Sequence, residues 1–220
     1  MKSLRELLRG PGWRGRARKE WALLAAVCML VVGYDAYMSL PGDWEKFGLE
    51  NPSDSAYNLL ARGFRDGHLY LEKPVPVGFA QLADPYDPDA NSVYRFSPPY
   101  LLHDLSYYNG RLYLYFGPTP ALILFWPYNT LTRGSLSYRQ AVTIFCIVGF
   151  LASASLLCAV WRRYFAEVSV GVVAACVLAL GFAVGTLAQL SQASFYQAPR
   201  TCGYMLTMLA LGGVWRALHD

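Results

Sequence analysis

The sequence contains few charged residues. Of its 220 residues, only 15% are Asp, Glu, Lys or Arg, whereas 55% are hydrophobic. An average soluble domain carries roughly 25% charged residues, so the shortage argues against an ordinary water-soluble fold. It also excludes an intrinsically disordered chain, which needs low hydrophobicity and high charge. The composition therefore indicates an integral membrane protein.

The sequence also lacks the common signatures of metal sites and of nucleophilic or phosphate-binding enzymes. Its three histidines are scattered, and it contains no phosphate-binding glycine loop, zinc-protease motif or nucleophile elbow. The five cysteines all lie in apolar segments and lack metal-ligand spacing. We therefore expect them to be small hydrophobic side chains and not a disulfide framework.

Long hydrophobic runs are what the sequence does contain. A helix needs roughly 20 apolar residues to cross about 30 Å of hydrocarbon, and four segments approach or exceed this length: 21–40, 141–161, 168–190 and 201–218. Residues 118–131 are also apolar but contain Pro120 and Pro127, so they form either a short kinked span or a re-entrant segment. We predict an all-α polytopic membrane protein with four to five transmembrane helices, in which residues 118–218 form a helical bundle.

Small residues mark one of these apolar runs and predict a face for close helix packing. They are Ala174, Ala175, Ala179, Gly181 and Gly185.

Charge is distributed unevenly along the chain. Residues 1–20 hold seven Lys or Arg and two Glu, whereas residues 41–117 hold six basic and ten acidic residues. The positive-inside rule therefore predicts a basic cytoplasmic N-terminus, an uncleaved first helix and an acidic extracytoplasmic loop. Because these basic residues lie beside a transmembrane segment, we expect them to set its orientation and not to bind nucleic acid. The side of the membrane on which Arg162 and Arg163 lie is left open, because it depends on whether residues 118–131 cross the membrane.

Residues 53–67 of the loop have the periodicity of an amphipathic helix. Its apolar face carries Tyr57, Leu60, Ala61 and Phe64. The other faces carry Asn58, Arg62 and Arg65. Ser53 or Asp54 is expected to cap this helix and Gly67 to end it. A helix of this kind next to a transmembrane segment is suited to lying in the membrane interface.

Residues 84–91 are rich in Pro and Asp, and we expect them to be irregular because prolines interrupt them. Two interpretations are open for Asp84, Asp87 and Asp89. Their oxygens either hold a divalent cation such as Ca²⁺ or form Asx turns beside the prolines. The spacing does not match an EF-hand loop.

The dipeptide Asn109–Gly110 predicts a small β-hairpin, because it is a preferred two-residue turn and aromatic strand formers flank it in residues 104–116. The tyrosines of this hairpin either form an aromatic belt at the lipid headgroups or stack on a sugar.

Short motifs in the loop and after it resemble those of the GT-C membrane glycosyltransferases. This family includes the protein O-mannosyltransferases and the bacterial transferases that add aminoarabinose to lipid A. The first-loop motif is matched by Asp54, Tyr57, Ala61 and Gly67. Residues 117–122 are similar to the proline pair that opens the family's second helix, and residues 161–165 resemble its basic-aromatic junction. Ser55 departs from the pattern, since many members have a second acid there. Because those enzymes carry many more helices, the resemblance is to an N-terminal part or a truncated relative.

The resemblance implies an inverting enzyme that takes a sugar from a polyprenyl phosphate carrier and transfers it to an extracytoplasmic acceptor. Such a transfer needs a carboxylate that accepts the acceptor's proton and positive groups on the departing phosphate. Asp54 matches the family's acid and is the expected base, although a helix cap is its alternative role. Asp104 is a second candidate carboxylate, and Tyr57 is expected to contact substrate. Arginines can fork onto phosphate oxygens, and the loop offers Arg62, Arg65, Arg95 and Arg111.

A non-catalytic membrane scaffold, or a transporter-like fragment whose loop binds a partner, is the alternative function. A transporter should show charged or broken helices at the midplane and paired repeats, and no such pairing is present. Asp35 lies inside the first span and is a functional candidate because acids are costly within membranes, yet it is near enough to the outer end to snorkel to water. The lipid bilayer is the expected partner in either case. If the protein is an enzyme, a polyprenyl-phosphate-linked sugar is a second expected partner.

Overall fold

The structure is a computed structural model that describes residues 11–40, 52–97, 100, 102, 104–183 and 195–219, without the side chains of 11–17 and 183. The predictions made for residues 1–10, 41–51 and 184–190 lie outside this part. The described residues form two compact units. One, the membrane unit, comprises residues 11–40, 142–183 and 203–219. The other, the loop unit, comprises residues 52–141 and 195–202.

The described part of the chain is mostly helical, with a single two-stranded sheet. In chain order, the helices are α1 (Pro11–Met38), α2 (Ala56–Arg65), α3 (Val77–Ala80), α4 (Pro88–Phe96), α5 (Trp126–Thr132), α6 (Tyr138–Tyr164), α7 (Val170–Ala183) and α8 (Gln197–His219). The strands are β1 (Leu105–Tyr108) and β2 (Arg111–Leu114). A 3₁₀ turn at Pro52–Asp54 precedes α2, and a π-helical segment at Ala121–Phe125 precedes α5.

Two of these helices are long and apolar enough to cross a membrane, namely Arg18–Met38 within α1 and the whole of α6. They match the spans predicted at 21–40 and 141–161. Helix α7 is shorter, with 14 residues, and α8 has 23 residues but is less apolar. The described residues therefore support two candidate spans and not the predicted four to five.

Residues 118–131, predicted to span or dip into the membrane, belong to the loop unit and form the π-helical segment and α5. In the π-helical segment, the Trp126 N–H donates to the Ala121 carbonyl five residues earlier. Pro127 has no N–H, so the regular helical ladder is interrupted there. Arg133, with a φ of 55°, ends α5 in the left-handed conformation. The resulting helix is not among those long enough to cross a membrane.

The core of the membrane unit lies where α1 packs on α7, with α6 beside them. Its buried apolar side chains include Leu24, Val31, Phe150, Val173 and Val177. Gly181 faces this core, because a Cβ added there would lie 2.7 Å from Val31 Cγ1 and 3.3 Å from Phe150. The predicted small-residue face is therefore confirmed at Gly181 and at the buried Ala174, whereas Ala175 and Ala179 are exposed.

Replacing Gly181 by Ala is expected to lower the free energy of unfolding of the purified protein by about 2 kcal/mol, because overpacking a filled core forces its neighbours apart. The matched control is Gly33→Ala on α1, where an added Cβ meets nothing within 4 Å. That change should leave stability equal or slightly higher, since Ala favours helix over Gly. Thermal melts in detergent measure both, and equal melting temperatures for the two variants would contradict the packing.

Helix α2 confirms the predicted amphipathic helix, but its start and its surroundings differ from the prediction. Ser55 is the N-cap residue, and Ser53 and Asp54 belong to the preceding 3₁₀ turn. Gly67, with a φ of 82°, follows the helix end as predicted. The apolar face is buried within the loop unit itself, since Tyr57 is fully buried and α2 packs on α5 and the π-helical segment. Protein therefore covers the face that was expected to lie on lipid.

Asn58 lies off the apolar face of α2, as the periodicity predicts, but its burial is not predicted from the sequence. Asn58 is fully buried, and its side chain pairs with both backbone groups of Leu136, donating from Nδ2 to the carbonyl at 2.8 Å and accepting the N–H at 3.1 Å. Nδ2 also lies 2.7 Å from Ser55 Oγ and 2.8 Å from the Pro52 carbonyl. Asn58 therefore joins segments that lie 78 residues apart in the sequence.

The predicted hairpin is confirmed. Strands β1 and β2 are antiparallel, with Leu105 opposite Leu114 and Tyr108 opposite Arg111. Asn109 and Gly110 have φ values of 47° and 74°, as the two central residues of a type I′ turn require. On the outer side of β2, the Leu71 N–H donates to the Leu112 carbonyl at 2.8 Å, so the chain that follows α2 runs beside the hairpin.

Candidate functional site

Asp104 lies immediately before β1, at the open end of the hairpin, with a φ of 58°. Its carboxylate accepts a hydrogen bond from the Tyr196 hydroxyl, and this bond is the main cause that raises the pKa of Tyr196 above its ordinary value of 10.0. Because Tyr196 must be protonated to donate, the contact exists below that raised pKa and is lost as the pH rises through it. Tyr196 thus orients one of the two predicted catalytic carboxylates.

Aromatic rings adjoin this pair. The Phe116 and Phe195 ring centroids lie 5.5 Å and 5.7 Å from that of Tyr196, both edge-to-face. Tyr196 is 37% exposed, and the two phenylalanines are half-buried. We call these four residues the Asp104 site. A carboxylate beside partly exposed rings offers an acceptor for hydroxyl groups and an apolar surface, which is the mixed chemistry typical of small-molecule sites.

Asp54, the other predicted catalytic acid, is exposed at the end of the 3₁₀ turn. Within the described residues, its carboxylate takes part in no hydrogen bond or ion pair. Its alternative role as the helix cap is wrong, because Ser55 occupies that position. A catalytic role for Asp54 stays a prediction, without a neighbour that orients it.

Tyr57 is the centre of an aromatic cluster inside the loop unit. Its ring stacks on Phe125 at 5.3 Å and lies 5.7 Å from Phe195 and 6.1 Å from Tyr138. Burial raises the pKa of Tyr57 above its ordinary value, and no described residue offers its hydroxyl a hydrogen-bond partner. The ring therefore supports Phe195 of the Asp104 site from behind the exposed surface, and direct contact of Tyr57 with substrate stays a prediction.

The four candidate phosphate-binding arginines differ in their surroundings. Arg62 Nε pairs with Glu72 at 2.9 Å, and Arg65 Nε pairs with Asp66 at 3.3 Å. The Arg111 guanidinium instead lies over the Tyr70 ring, 4.4 Å from its centroid, and within the described part it forms no ion pair. Arg95 lies in the last turn of α4. Arg111 is therefore the candidate whose charge is held in place without being neutralised.

Residues 68–72 bring part of this set together. Tyr70 stacks on His68 with a centroid distance of 3.7 Å and an interplanar angle of 2°, and Arg111 covers the same ring. Glu72, two residues later, holds Arg62. Arg62 and Arg111 thus flank one short segment, whereas Asp104 lies at the other end of the hairpin from Arg111. The three residue steps from Leu105 to Tyr108 span about 10 Å along the strand, so the main chain at Asp104 and the main chain at Arg111 lie at opposite ends of the hairpin.

Two of the three carboxylates in residues 84–91, those of Asp84 and Asp87, act as local turn and cap groups. Asp87 is the N-cap of α4 and accepts the Asp89 N–H at 3.0 Å, while Asp84 accepts the Tyr86 N–H at 2.8 Å. The Asx-turn interpretation is therefore confirmed, although α4 begins at Pro88, inside the stretch that was expected to be irregular. Proline suits that first helical position because its φ is already fixed near the helical value. Across the described ranges, no group of three or more His, Cys, Asp and Glu side chains is arranged to hold a metal ion.

Asp35 is buried in the membrane unit, with 1% of its surface exposed, so the expectation that it reaches water is wrong. Neither of its carboxylate oxygens has a hydrogen-bond partner among the described residues. Its surroundings include Tyr204 on α8 and Cys146 on α6. The Tyr204 hydroxyl itself is hydrogen-bonded to Ser153 at 2.8 Å. Burial of an acid without partners costs stability.

Replacing Asp35 by Val is expected to raise the free energy of unfolding by about 2 kcal/mol, because it removes a buried acid that receives no compensating hydrogen bond from any described residue. The control is Ala36→Val, which places the same side chain at the exposed neighbouring position of α1. Thermal melts in detergent compare the two. A lower melting temperature for Asp35→Val than for the control would contradict the description of Asp35 as unpartnered.

Residues that build these sites carry little sequence signal. Tyr196 follows Phe195 in an apolar linker, 92 residues after Asp104, and His68 and Tyr70 lie in a stretch without periodicity. The aromatic pair 195–196 is the only local sign of the first site. Neither a protein-family model, nor a curated protein, nor a solved structure matches this chain.

Proposed function

We propose that this protein is an integral membrane glycosyltransferase-like protein that transfers a sugar from a polyprenyl-phosphate donor to an extracytoplasmic acceptor. The observation that carries the proposal is the Asp104–Tyr196 hydrogen bond beside Phe116 and Phe195. An oriented carboxylate next to partly exposed rings is suited to a sugar, because it combines an acceptor for hydroxyls with an apolar surface. The resemblance of the loop motif to GT-C enzymes supports the same function.

The reaction is an inverting displacement. The acceptor hydroxyl oxygen attacks the anomeric carbon, the bond between that carbon and the phosphate oxygen breaks, and the acceptor's proton moves to a carboxylate. Asp104 is the better candidate for this base because Tyr196 holds it, and Asp54 is the second. The departing polyprenyl phosphate carries the negative charge, which Arg111 stabilises. Arg62, Arg65 and Arg95 are further cations of the same unit.

We also propose that α1, α6, α7 and α8 all cross the bilayer and that residues 118–132 stay outside. This arrangement gives four spans with the N-terminus in the cytoplasm of a bacterial cell, and the loop unit faces outward. Two contacts support it. The Arg162 guanidinium on α6 lies 5.3 Å from the Trp21 ring on α1, and Tyr164 at the end of α6 hydrogen-bonds His219 at the end of α8 at 3.1 Å. The positive-inside rule then assigns that shared end to the cytoplasm.

A non-catalytic scaffold is the second candidate function. It is favoured by large apolar side chains on the surface of α4, where Val93 is 58% exposed and Phe96 is 68% exposed. Neighbouring exposed apolar residues are one mark of a surface that binds another protein. A scaffold of this kind would bind its partner without consuming a lipid-linked sugar.

Binding of polyprenyl phosphate to the purified protein in detergent tests the enzyme proposal. Wild type should bind the carrier saturably and more tightly than it binds the uncharged polyprenol. Arg111→Gln should weaken binding about tenfold, because a charge-assisted contact to phosphate is worth about 1.5 kcal/mol or more. The control is Arg133→Gln, an exposed cation at the end of α5. Equal affinity for carrier and polyprenol would contradict the proposal and favour the scaffold.

A further inference from the structure

Three helix ends of the membrane unit meet at one place. The Arg162 guanidinium on α6 lies over the Trp21 ring near the start of the apolar part of α1. Tyr164, the last residue of α6, packs against Trp215 on α8 at 5.8 Å and hydrogen-bonds His219 at 3.1 Å. These contacts place the beginning of the α1 span and the C-terminal ends of α6 and α8 at the same end of the unit. We call it the basic-aromatic end.

This end carries an excess of positive charge. Its exposed cations are Arg18, Lys19, Arg162, Arg163 and Arg216. The acidic side chains nearby in the sequence are Glu20 and Glu167. Among the described residues, none of the five cations pairs with a carboxylate. The ion pairs that the described residues do form belong to the loop unit. Within that part of the chain, ion pairs do not neutralise the charge of these five side chains.

Helix dipoles account for only part of this charge. Arg162, Arg163 and Arg216 lie in the last turns of α6 and α8, where cations offset the partial negative charge of the terminal carbonyls. Arg18 and Lys19 lie in the interior of α1, far from its C-terminal end, so no helix terminus needs them. Both cations lie within one helical turn of Trp21, so they add to the charge of this end of the unit.

Aromatic side chains at the same end indicate what kind of anion this is. Trp21 is 47% exposed, Tyr164 is 59% exposed and Phe165 is 57% exposed. Tryptophan and tyrosine carry one polar edge and collect at the depth of lipid headgroups, and Trp21 and Tyr164 each belong to an apolar helix that the acyl chains would cover. A soluble anion would use the cations but not these rings.

We propose that the basic-aromatic end binds the headgroups of anionic phospholipids in the leaflet on its side of the membrane. The arginine forks take the lipid phosphate, and the exposed rings and the adjoining helices take the glycerol and the upper acyl chains. Lipids without net charge bind to this end more weakly, because basic residues at a membrane surface are attracted by negative lipid charge.

The test uses the full chain in nanodiscs of phosphatidylcholine with or without phosphatidylglycerol. Native mass spectrometry counts the phosphatidylglycerol molecules that stay bound after release from the disc, and titration gives their apparent affinity. Wild type should retain phosphatidylglycerol in preference to phosphatidylcholine. Arg162→Gln/Arg163→Gln should lower the apparent affinity roughly 30-fold, which corresponds to about 1 kcal/mol for each basic residue.

The matched control is Arg133→Gln/Arg200→Gln, which removes two exposed cations of the loop unit and the same total charge. It should leave retention within twofold of wild type. Because all four arginines are exposed, the variants should fold, and circular dichroism checks that they do. Equal losses in the two double variants would overturn the proposal, since charge alone and not this end would then govern binding. Equal retention of phosphatidylcholine and phosphatidylglycerol by wild type would overturn it as well.

Discussion

Replacing Asn58 by Ala is expected to lower the free energy of unfolding of the loop unit by about 3–4 kcal/mol. The Asn58 side chain satisfies both backbone groups of Leu136, a buried residue, and also contacts Ser55 and Pro52. Alanine leaves the buried N–H and the buried carbonyl of Leu136 without their side-chain partner, and each such unsatisfied group costs about 1–3 kcal/mol. Urea unfolding in detergent, followed by tyrosine and tryptophan fluorescence, measures the change.

Asn91→Ala is the matched control, because Asn91 is equally buried but donates a single described hydrogen bond, to the Pro85 carbonyl at 2.9 Å. Its oxygen has no partner among the described residues, so we expect a loss of about 1 kcal/mol. If the two alanine variants unfold at the same urea concentration, Asn58 does not join α2 to the segment before α6.

Asp104→Asn is expected to lower the rate of sugar transfer at least 100-fold, since a positioned general base contributes about 10²–10⁴-fold to a rate. Asparagine keeps the size of the side chain and can still accept a hydrogen bond from Tyr196, so the protein should fold normally. The rate is measured as the initial release of polyprenyl phosphate from its glycosylated form in proteoliposomes, and thermal melts confirm folding.

Two comparisons make this result specific. Tyr196→Phe should lower the rate about tenfold with little change in KM, because it loosens the carboxylate without removing it, and it should remove the dependence of the rate on Tyr196 ionisation above pH 10. Asp54→Asn should have a smaller effect than Asp104→Asn, because no described residue orients Asp54. The opposite order of the two aspartate variants would assign the base to Asp54, as the loop motif alone predicts.

Local sequence patterns predict the elements of this fold well. The period of Tyr57, Leu60, Ala61 and Phe64 predicts α2, and Asn109–Gly110 predicts the hairpin, because neighbouring residues determine both structures. Apolar length likewise predicts α6 and the α1 span. The start of α4 is not predictable from the same local pattern, because Asp87–Pro88 fits a turn as well as the first positions of a helix.

Contacts between distant segments are what the sequence conceals. Asn58 has a polar side chain off the apolar face of its helix, and nothing near it in the sequence indicates that its partner is Leu136, 78 residues away. Tyr196 orients Asp104 across 92 residues, and no periodic signal links them. Asp35 shows the same limit, since its position near a helix end predicts access to water and only the packing of the helices shows that it is buried.

The measurement that most directly tests the proposed function is the consumption of a radiolabelled glycosyl polyprenyl phosphate by the wild-type protein in proteoliposomes. We expect free polyprenyl phosphate to accumulate with time when an acceptor-containing membrane extract is present, and Asp104→Asn to abolish this accumulation. If wild type binds the carrier but the donor stays intact, and Asp104→Asn behaves identically, the protein is a carrier-binding scaffold and the transferase proposal is wrong.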